Sequence, residues 1–467
     1  MKLADVSKQY AEEGTPMGTE DLKSCKISMP DDVKFIIERL EASGYPAYAV
    51  GGCVRDSLLG RAPADWDIAT AALPTEVISA FKGKRVVPTG IKHGTVTLVL
   101  GKKNYEITTY RIDGKYSDGR RPDWVSFTDN IKEDLARRDF TINAMAYNGK
   151  DGLVDCFGGA ADLKRRVIRC VGGADERFAE DYLRMIRAYR FSAVLNFDID
   201  EDILKSVKAN KKKLLDISAE RIRTEFDKLF LTDSFGRIKA FFEDLGEVLF
   251  PELMRLKDIP QINRYHCYDA YNHTLQVIYN TEPNILMRLC ALFHDMGKAD
   301  TLRIDADGIT HFYGHAAKSA DIALKIMKRM KYDNALIAAV TTIVREHNFD
   351  AKKSRVELKY MIKRLGADTV RLLLEFAEAD MKGKSKYAME RKLPRLKNSS
   401  DLLEEIIKLK EPCTIKSLAL NGEEVMKILG IGAGKEVGAV LERLLDAVIY
   451  DPSNNTKEIL TDMLSND

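Results

Sequence analysis

The hydrophobic period of this chain changes once, at Gly172-Gly173, and the change splits it into two kinds of structure. Before it, short β-type runs are separated by Gly and Pro turns: Ala47–Val50, Asp65–Ala69, Arg85–Val87, Thr95–Leu100 and Tyr105–Tyr110. A helical pattern runs from Asp31 to Gly44, and a second helix falls at Thr75–Phe81. After it, the spacing is helical to the end, through Phe178–Leu195, Ala219–Phe230, Gly236–Leu245, His273–Tyr279, Asn284–Phe293, Ala316–Met330, Asn334–Glu346, Arg355–Leu365, Thr369–Met381, Leu402–Leu409 and Val437–Tyr450. The prediction is an α+β protein, with a small mixed-sheet head (helices on one side) and a long all-α remainder.

At 467 residues the chain is too long for one core. The pattern divides it into a head (30–170), a helical neck (171–255), a helical body (256–385) and a helical tail (386–467). Residues 1–29 read as a polar lead-in, and the basic, Pro-containing stretch Lys382–Asn398 as a linker or exposed turn.

Composition excludes several classes. Apolar residues at 45% and charged residues at 31% rule out a disordered chain. No uncharged apolar run approaches the roughly 18 residues of a membrane span, and no apolar signal core opens the sequence. A cytoplasmic protein that does not enter membranes is expected. Seven cysteines without a CxxC pair fit neither a disulfide frame nor a zinc knuckle. The net charge of +2 announces no nucleic-acid binder, but phosphate binding depends on where charge lies. Lys208, Lys211, Lys212 and Lys213 form one candidate backbone-binding patch.

In Asp65-Trp66-Asp67, placed at the start of a strand, the two carboxylates share one face. They repel each other unless a cation lies between them, which a metal-dependent phosphoryl- or nucleotidyl-transfer site supplies. Mg2+ suits all-oxygen ligands and a phosphate-bearing substrate. Glu106 adds a third acid if its strand lies beside the first. Upstream, Gly51-Gly52-Cys53-Val54-Arg55-Asp56 follows a strand. Paired glycines let backbone N–H groups approach a phosphate, and Arg55 can pair with its oxygens.

The run GGCVRDSLLGRAPADWDIAT resembles the head signature of the class II nucleotidyltransferases, the group holding tRNA CCA-adding enzymes and bacterial poly(A) polymerases. Arg137–Ala144 (RRDFTINA), Asp155–Leu163 (DCFGGAADL) and Glu180–Arg184 (EDYLR) resemble its later motifs, in order. The resemblance implies a nucleotidyltransferase head in which Asp65 and Asp67 hold Mg2+. It also implies that Arg138, Arg187 and Arg190 contact the incoming nucleotide, with Arg138 near the ribose.

Asp181 and Arg184, three apart in a helix, fall on one face. A carboxylate accepts from an exocyclic amino group, and a guanidinium donates to a ring nitrogen. Cytosine and adenine offer that pairing edge, whereas uracil and guanine offer the reverse. The pair is therefore predicted to select C and A without a nucleic-acid template. Thr109–Asp129 is a long charged loop. In complete CCA-adding enzymes a flexible loop of this kind helps the site change from C to A, and this one is not shortened.

Of seven histidines, His273, His294, His315 and His347 stand in helical segments, with Asp295 beside His294 and Asp380 further on. His294-Asp295-Met296-Gly297-Lys298 resembles the signature of HD metal-dependent phosphohydrolases. His273, His294, Asp295, His315, His347 and Asp380 are thus candidate ligands for a divalent transition metal in an HD-type body. Two readings stay open: a working metal site with phosphatase or cyclic phosphodiesterase activity, or a structural relic. His266 and His311 read as structural extras, and His93 lies in the head.

The resemblance as a whole implies a CCA-adding enzyme that takes tRNA, CTP and ATP, as monomer or homodimer, with the tail gripping tRNA. The alternatives are a poly(A) polymerase or a partial adder on the same scaffold, or an HD phosphohydrolase with an RNA-binding head.

Overall fold

A computed structural model describes residues 26–114, 124–350 and 352–465. The chain forms two compact units, one ending at Val248 and the other starting at Leu249.

The first unit is built on a seven-stranded mixed sheet ordered β3-β4-β5-β2-β1-β8-β9. The strands are β1 (Ala47–Val50), β2 (Asp67–Thr70), β3 (Arg85–Gly90), β4 (Thr95–Leu100), β5 (Lys103–Thr109), β8 (Met145–Asn148) and β9 (Gly152–Asp155). β2 runs parallel to β5, with Ile68 opposite Ile107. It runs antiparallel to β1, with Val50 opposite Asp67. This topology answers the condition on Glu106, because its strand does lie beside that of Asp67. Tyr48, Val50, Ala69, Tyr110, Leu135, Ala144 and Ala146 form one buried cluster against the sheet. β8 and β9 were not anticipated; β8 is buried at every position, so no period-2 alternation marks it.

The flanks of the loop at Thr109–Asp129 pair as a ribbon of β6 (Arg111–Asp113) and β7 (Val125–Phe127). Its residues 115–123 lie outside the described residues, as does most of the expected lead-in, residues 1–25.

Two local expectations need correction. β2 begins at Asp67, so Asp65 precedes the strand and the shared-face argument reaches only one of the two carboxylates. The helix predicted over Phe178–Leu195 is broken: Ala174–Glu180 ends at Asp181, whose backbone is extended, and a second helix spans Leu183–Leu195. The break has a local cause. Asp181 Oδ1 accepts from the Leu183 amide at 3.1 Å, a local side-chain turn that competes with helix continuation.

The second unit is helical apart from a two-stranded ribbon, Arg303–Ile304 with Thr310–His311. Lys382–Asn398 is not a linker. It lies largely within one helix, Lys386–Lys408, which carries Pro394 inside it. Leu396, Leu403 and Ile406 of that helix share a core with Leu358, Val370 and Leu374, so a division at 385/386 would cut through one buried cluster. Burial of that apolar face outweighs the one backbone hydrogen bond that a proline removes.

Candidate active site and a buried histidine cluster

In the first unit, Gly51 ends β1 with φ of 79° and caps the short helix Gly52–Leu58. The positive φ at Gly51 asks for glycine, and a Cβ there would also push on the end of the Arg138 side chain, 2.6 Å from Nη1. The first-turn amides of the helix it caps have no intrahelical acceptor. Arg55, predicted to face phosphate, is buried; its guanidinium donates to Asn143 Oδ1 at 2.6 Å and to Asp56. It thereby ties the glycine turn to the Arg137–Ala144 motif.

Asp67 gathers the charges of the site. Burial of its surroundings raises its pKa; Arg138 opposes this, and the charges of Glu106 and Asp65 reinforce it. Three carboxylates are thus held close enough to feel one another beside one guanidinium, the arrangement that a divalent cation relieves. These all-oxygen donors fit Mg2+.

Asp181 and Arg184 are not paired with each other. Asp181 Oδ2 accepts from Arg221 Nη2 at 2.6 Å. Arg184 is buried, paired with Glu180, and donates to the carbonyls of Arg177 (2.9 Å) and Arg137 (3.1 Å). Arg187 donates to Asp139 at 2.5 Å and to Glu225 at 3.2 Å; Arg190 meets Glu225 at 2.5 Å and lies 3.8 Å above the Phe191 ring. Burial alone would raise the Asp139 pKa, but Arg187 and a hydrogen bond from Asn143 hold it well below the carboxylate range. Sequence reasoning missed Arg221, Asp139, Asn143 and Glu225. Asp139 and Asn143 lie inside a motif already in hand, whereas Arg221 and Glu225 carry no local signal. Of the lysine patch, Lys211 is paired with Glu247 at 2.7 Å.

The second unit brings all six predicted ligands together. His273, His294 and Asp295 form one buried group within ligand distance, and Asp295, His315 and His347 form another. Each histidine directs Nδ1 to a carbonyl: His273 to Gly383 (3.1 Å), His294 to Ala291 (2.9 Å), His315 to Phe312 (2.7 Å) and His347 to Val344 (2.7 Å). Those bonds put the proton on Nδ1 and leave the Nε2 lone pairs facing inward. His273 and His294 then oppose bare Nε2 atoms at 3.4 Å, and His315 and His347 do so at 3.3 Å.

Asp295 lies between the pairs. Its Oδ2 is 3.0 Å from His294 and 3.5 Å from His273, while its Oδ1 is 3.5 Å from His315 and 3.8 Å from His347. Asp380 closes the first pair, 3.0 Å from His273. Burial lowers the pKa of His273 and His315, and that of His347 to about 3. Against its own burial, Asp295 is held well below the usual range by the charges around it, Lys298 among them. Neutral imidazoles and ionised carboxylates are the states that bind metal. Asp295 Oδ2 is buried with no donor aimed at it in hydrogen-bond geometry, although Lys298 Nζ stands 2.6 Å away. The donor set fits a divalent transition metal, which His273, His294, Asp295, His315, His347 and Asp380 would hold. His266, expected to be structural, donates from Nδ1 to Asn263 Oδ1 at 2.9 Å and lies edge-on to His273.

Comparison with known proteins gives collinear matches. Residues 47–169 match the family model "Poly A polymerase head domain", and residues 196–256 match "Probable RNA and SrmB- binding site of polymerase A". Residues 305–464 match the model of tRNA nucleotidyltransferase domain 2. A CCA-adding enzyme of Lactobacillus delbrueckii subsp. bulgaricus is 52% identical over 207 residues, covering 44% of this chain and 52% of the relative. One of Lactobacillus johnsonii is 33% identical over 433 residues, covering 92% of this chain and 96% of the relative. Among solved structures, the Bacillus stearothermophilus CCA-adding enzyme in complex with CTP is 28% identical, covering 94% of this chain and 98% of its own, with a TM-score of 0.69. The Thermotoga maritima enzyme complexed with a tRNA shares the fold at a TM-score of 0.59 and 23% identity, covering 96% of this chain and 98% of its own. With a likeness that runs nearly end to end in both partners, this chain belongs to the CCA-adding enzymes, a family of tRNA nucleotidyltransferases.

Proposed function

We propose that this chain completes the 3′ end of tRNA, adding C, C and A from CTP and ATP. The tRNA 3′ hydroxyl gives its proton to water as its oxygen bonds to the α-phosphorus, the bond from that phosphorus to the β-bridging oxygen breaks, and pyrophosphate leaves. Asp65 and Asp67, with Glu106 beside them, would hold Mg2+; when bound, it supplies charge stabilisation to the attacking and leaving oxygens. The Gly51-Gly52 turn receives phosphate on backbone amides, and Arg138 fills the space above Gly51 beside the sugar. Asp181 and Arg184 select C and A, while Arg187 and Arg190, oriented by Asp139 and Glu225, meet the triphosphate. The observation that carries the reading is the strand order, which sets Asp67 opposite Val50 at the glycine turn and beside the strand of Glu106, with Arg138 against Gly51.

The head, neck, body and tail read from the pattern serve as functional parts of this scheme, with the helical body and tail gripping the tRNA. A reaction on cytoplasmic tRNA places the protein in the cytoplasm. The test is the product on a trimmed tRNA given CTP and ATP singly and together: two C residues with CTP, and three nucleotides with both. A long A tail identifies a poly(A) polymerase, and a halt after two C residues a partial adder.

A second reading is favoured by the four inward Nε2 atoms around Asp295. The cluster would be a metal-dependent phosphohydrolase. A water oxygen bonds to phosphorus, the ester P–O bond breaks, and the water proton ends on the leaving oxygen. Its test is metal content together with phosphate release from phosphoesters.

A further inference from the structure

We infer that the head carries an RNA surface of its own: Lys84, Arg85, Lys102 and Lys103 form a cationic rim that takes backbone phosphates of the tRNA whose 3′ end lies at Asp65 and Asp67. The inference rests on the proposed reaction on tRNA and adds a contact apart from the body and tail.

Strand register fixes where the rim stands. β2 and β5 are parallel with Ile68 opposite Ile107, so Glu106 is the neighbour of Asp67 at the start of β2. Val50, at the end of antiparallel β1, lies opposite Asp67 and leads into the glycine turn. This end of the sheet therefore holds the site. β5 starts at Lys103, three residues before Glu106, so its hairpin with β4 overhangs that end by about 10 Å. Leu100 pairs with Lys103 to close the hairpin, and Lys102 stands in its turn. β3 begins at the same end, with Arg85 opposite Val99 and Lys84 just before it. All four cations are thus placed beyond the carboxylates at one end of the sheet.

The rim is open and its charges are not neutralised. Lys84, Arg85, Lys102 and Lys103 are exposed, and among the described residues none of them pairs with a carboxylate. Exposed cations elsewhere in this unit do, as Lys34 with Asp31, Arg237 with Asp198 and Lys239 with Glu243 show. Lys84, Lys102 and Lys103 line one depression together with Phe35 and Asp32. Its single carboxylate, Asp32, accepts from the Tyr105 hydroxyl at 2.8 Å. β3 and β5 are two strand spacings apart, roughly 10 Å, so these like charges repel one another and a polyanion relieves them.

The position selects the polyanion. Tyr105 and Glu106 are consecutive in a strand and point to opposite faces, so the depression opens on the face away from Glu106. A nucleotide with its phosphates on the Gly51-Gly52 turn does not also reach it. A chain of phosphates does, because it can cross the rim with its end at Asp67. RNA is the one reactant of the proposed reaction with such a chain, and Lys and Arg side chains are what position its backbone.

The experiment uses the full-length chain and a tRNA lacking its last three nucleotides. Binding is followed at several salt concentrations, and C addition from CTP gives the steady-state constants. Lys84→Ala, Lys102→Ala and Lys103→Ala combined should lower the salt slope of log K by about 2, since each phosphate contact contributes about 0.7–0.9. The KM for tRNA should rise about tenfold, and the KM for CTP should stay within about twofold. Arg at the same three positions should restore both the slope and the KM. An alanine variant with unchanged slope and tRNA KM overturns the inference, and so does a loss that Arg leaves unrestored. A rise in the KM for CTP alone assigns the rim to the triphosphate and also overturns it. Wild type that neither binds nor extends the tRNA sinks the tRNA reading and the rim with it. Wild type that extends the tRNA beside an indistinguishable alanine variant sinks the rim alone.

Discussion

Asp181 is held by Arg221, 2.6 Å away across 40 residues of sequence, and not by Arg184, its partner in the proposed base reader. The guanidinium of Arg221 fixes one oxygen, and the Leu183 amide the other, so the carboxylate has one orientation before any nucleotide arrives. Arg221→Ala should therefore loosen selection while leaving both reading residues in place. The expected loss is about 1 kcal/mol of discrimination between CTP and UTP, or about fivefold, against about 1–3 kcal/mol for Asp181→Ala itself. Relative kcat/KM for the two nucleotides on a trimmed tRNA measures it. Unchanged selectivity in Arg221→Ala would sink the positioning role.

Asp67→Asn should damage function and help the fold. Burial raises the folded-state pKa of Asp67, with Asp65 and Glu106 adding to it, so the native chain holds this proton more tightly than the unfolded chain. Stability is then lost as pH rises from the ordinary 3.8 through the raised folded value. At neutral pH the ionised group opposes folding in metal-free buffer. The variant should melt higher than wild type there, and the gap should close as pH falls toward that window. Mg2+ should raise the melting temperature of wild type more than that of the variant. Nucleotide addition should fall about a thousandfold, the several kcal/mol of charge stabilisation that a metal supplies, with tRNA binding retained.

Asp139→Asn tests the tie between the head motif and the arginine-bearing helix. Asp139 is buried and takes two of the Arg187 guanidinium nitrogens, so without it Arg187 keeps only its longer contact to Glu225. The expected loss is about 3 kcal/mol or more at neutral pH, read by urea unfolding. Because the folded pKa is depressed, this stability is present above 3.8 and is lost as pH falls through the folded value. The difference between wild type and variant should accordingly shrink in acid.

How much of this was legible follows from range. The glycine turn was legible because turn chemistry acts locally, whereas the paired acids and the order of the later motifs were legible as a resemblance to a family signature. The six candidate ligands of the second unit could be named in order, because an adjacent His-Asp and helical histidines are visible one residue at a time. What tertiary packing decides was not visible. Arg221 reaches Asp181 from another helix, and the carbonyls that turn each imidazole inward leave no trace in side-chain identity. Pro394 misled in the opposite sense. A breaker inside a basic stretch reads as a turn, yet Leu396 and Leu403 bury against Leu358 and Leu374 and hold the helix through it.

His294→Ala combined with Asp295→Ala should empty the second unit of metal and leave nucleotide addition within about twofold of wild type. Neither residue lies in the unit that carries Asp65, Asp67 and the base reader, so the two chemistries should separate. Asp295 is the group shared by the two histidine pairs, and its loss takes a carboxylate from both at once. Wild type purified without chelator should carry a divalent transition metal by elemental analysis and release phosphate from a phosphoester; the variant should do neither. Chelation should lower the melting temperature of wild type, because the Nε2 atoms of His273 and His294, and of His315 and His347, are then left facing each other with no cation between them. If wild type holds no metal and hydrolyses nothing under any divalent ion, the cluster is a structural element, and its four inward imidazoles must be satisfied by protons and water instead.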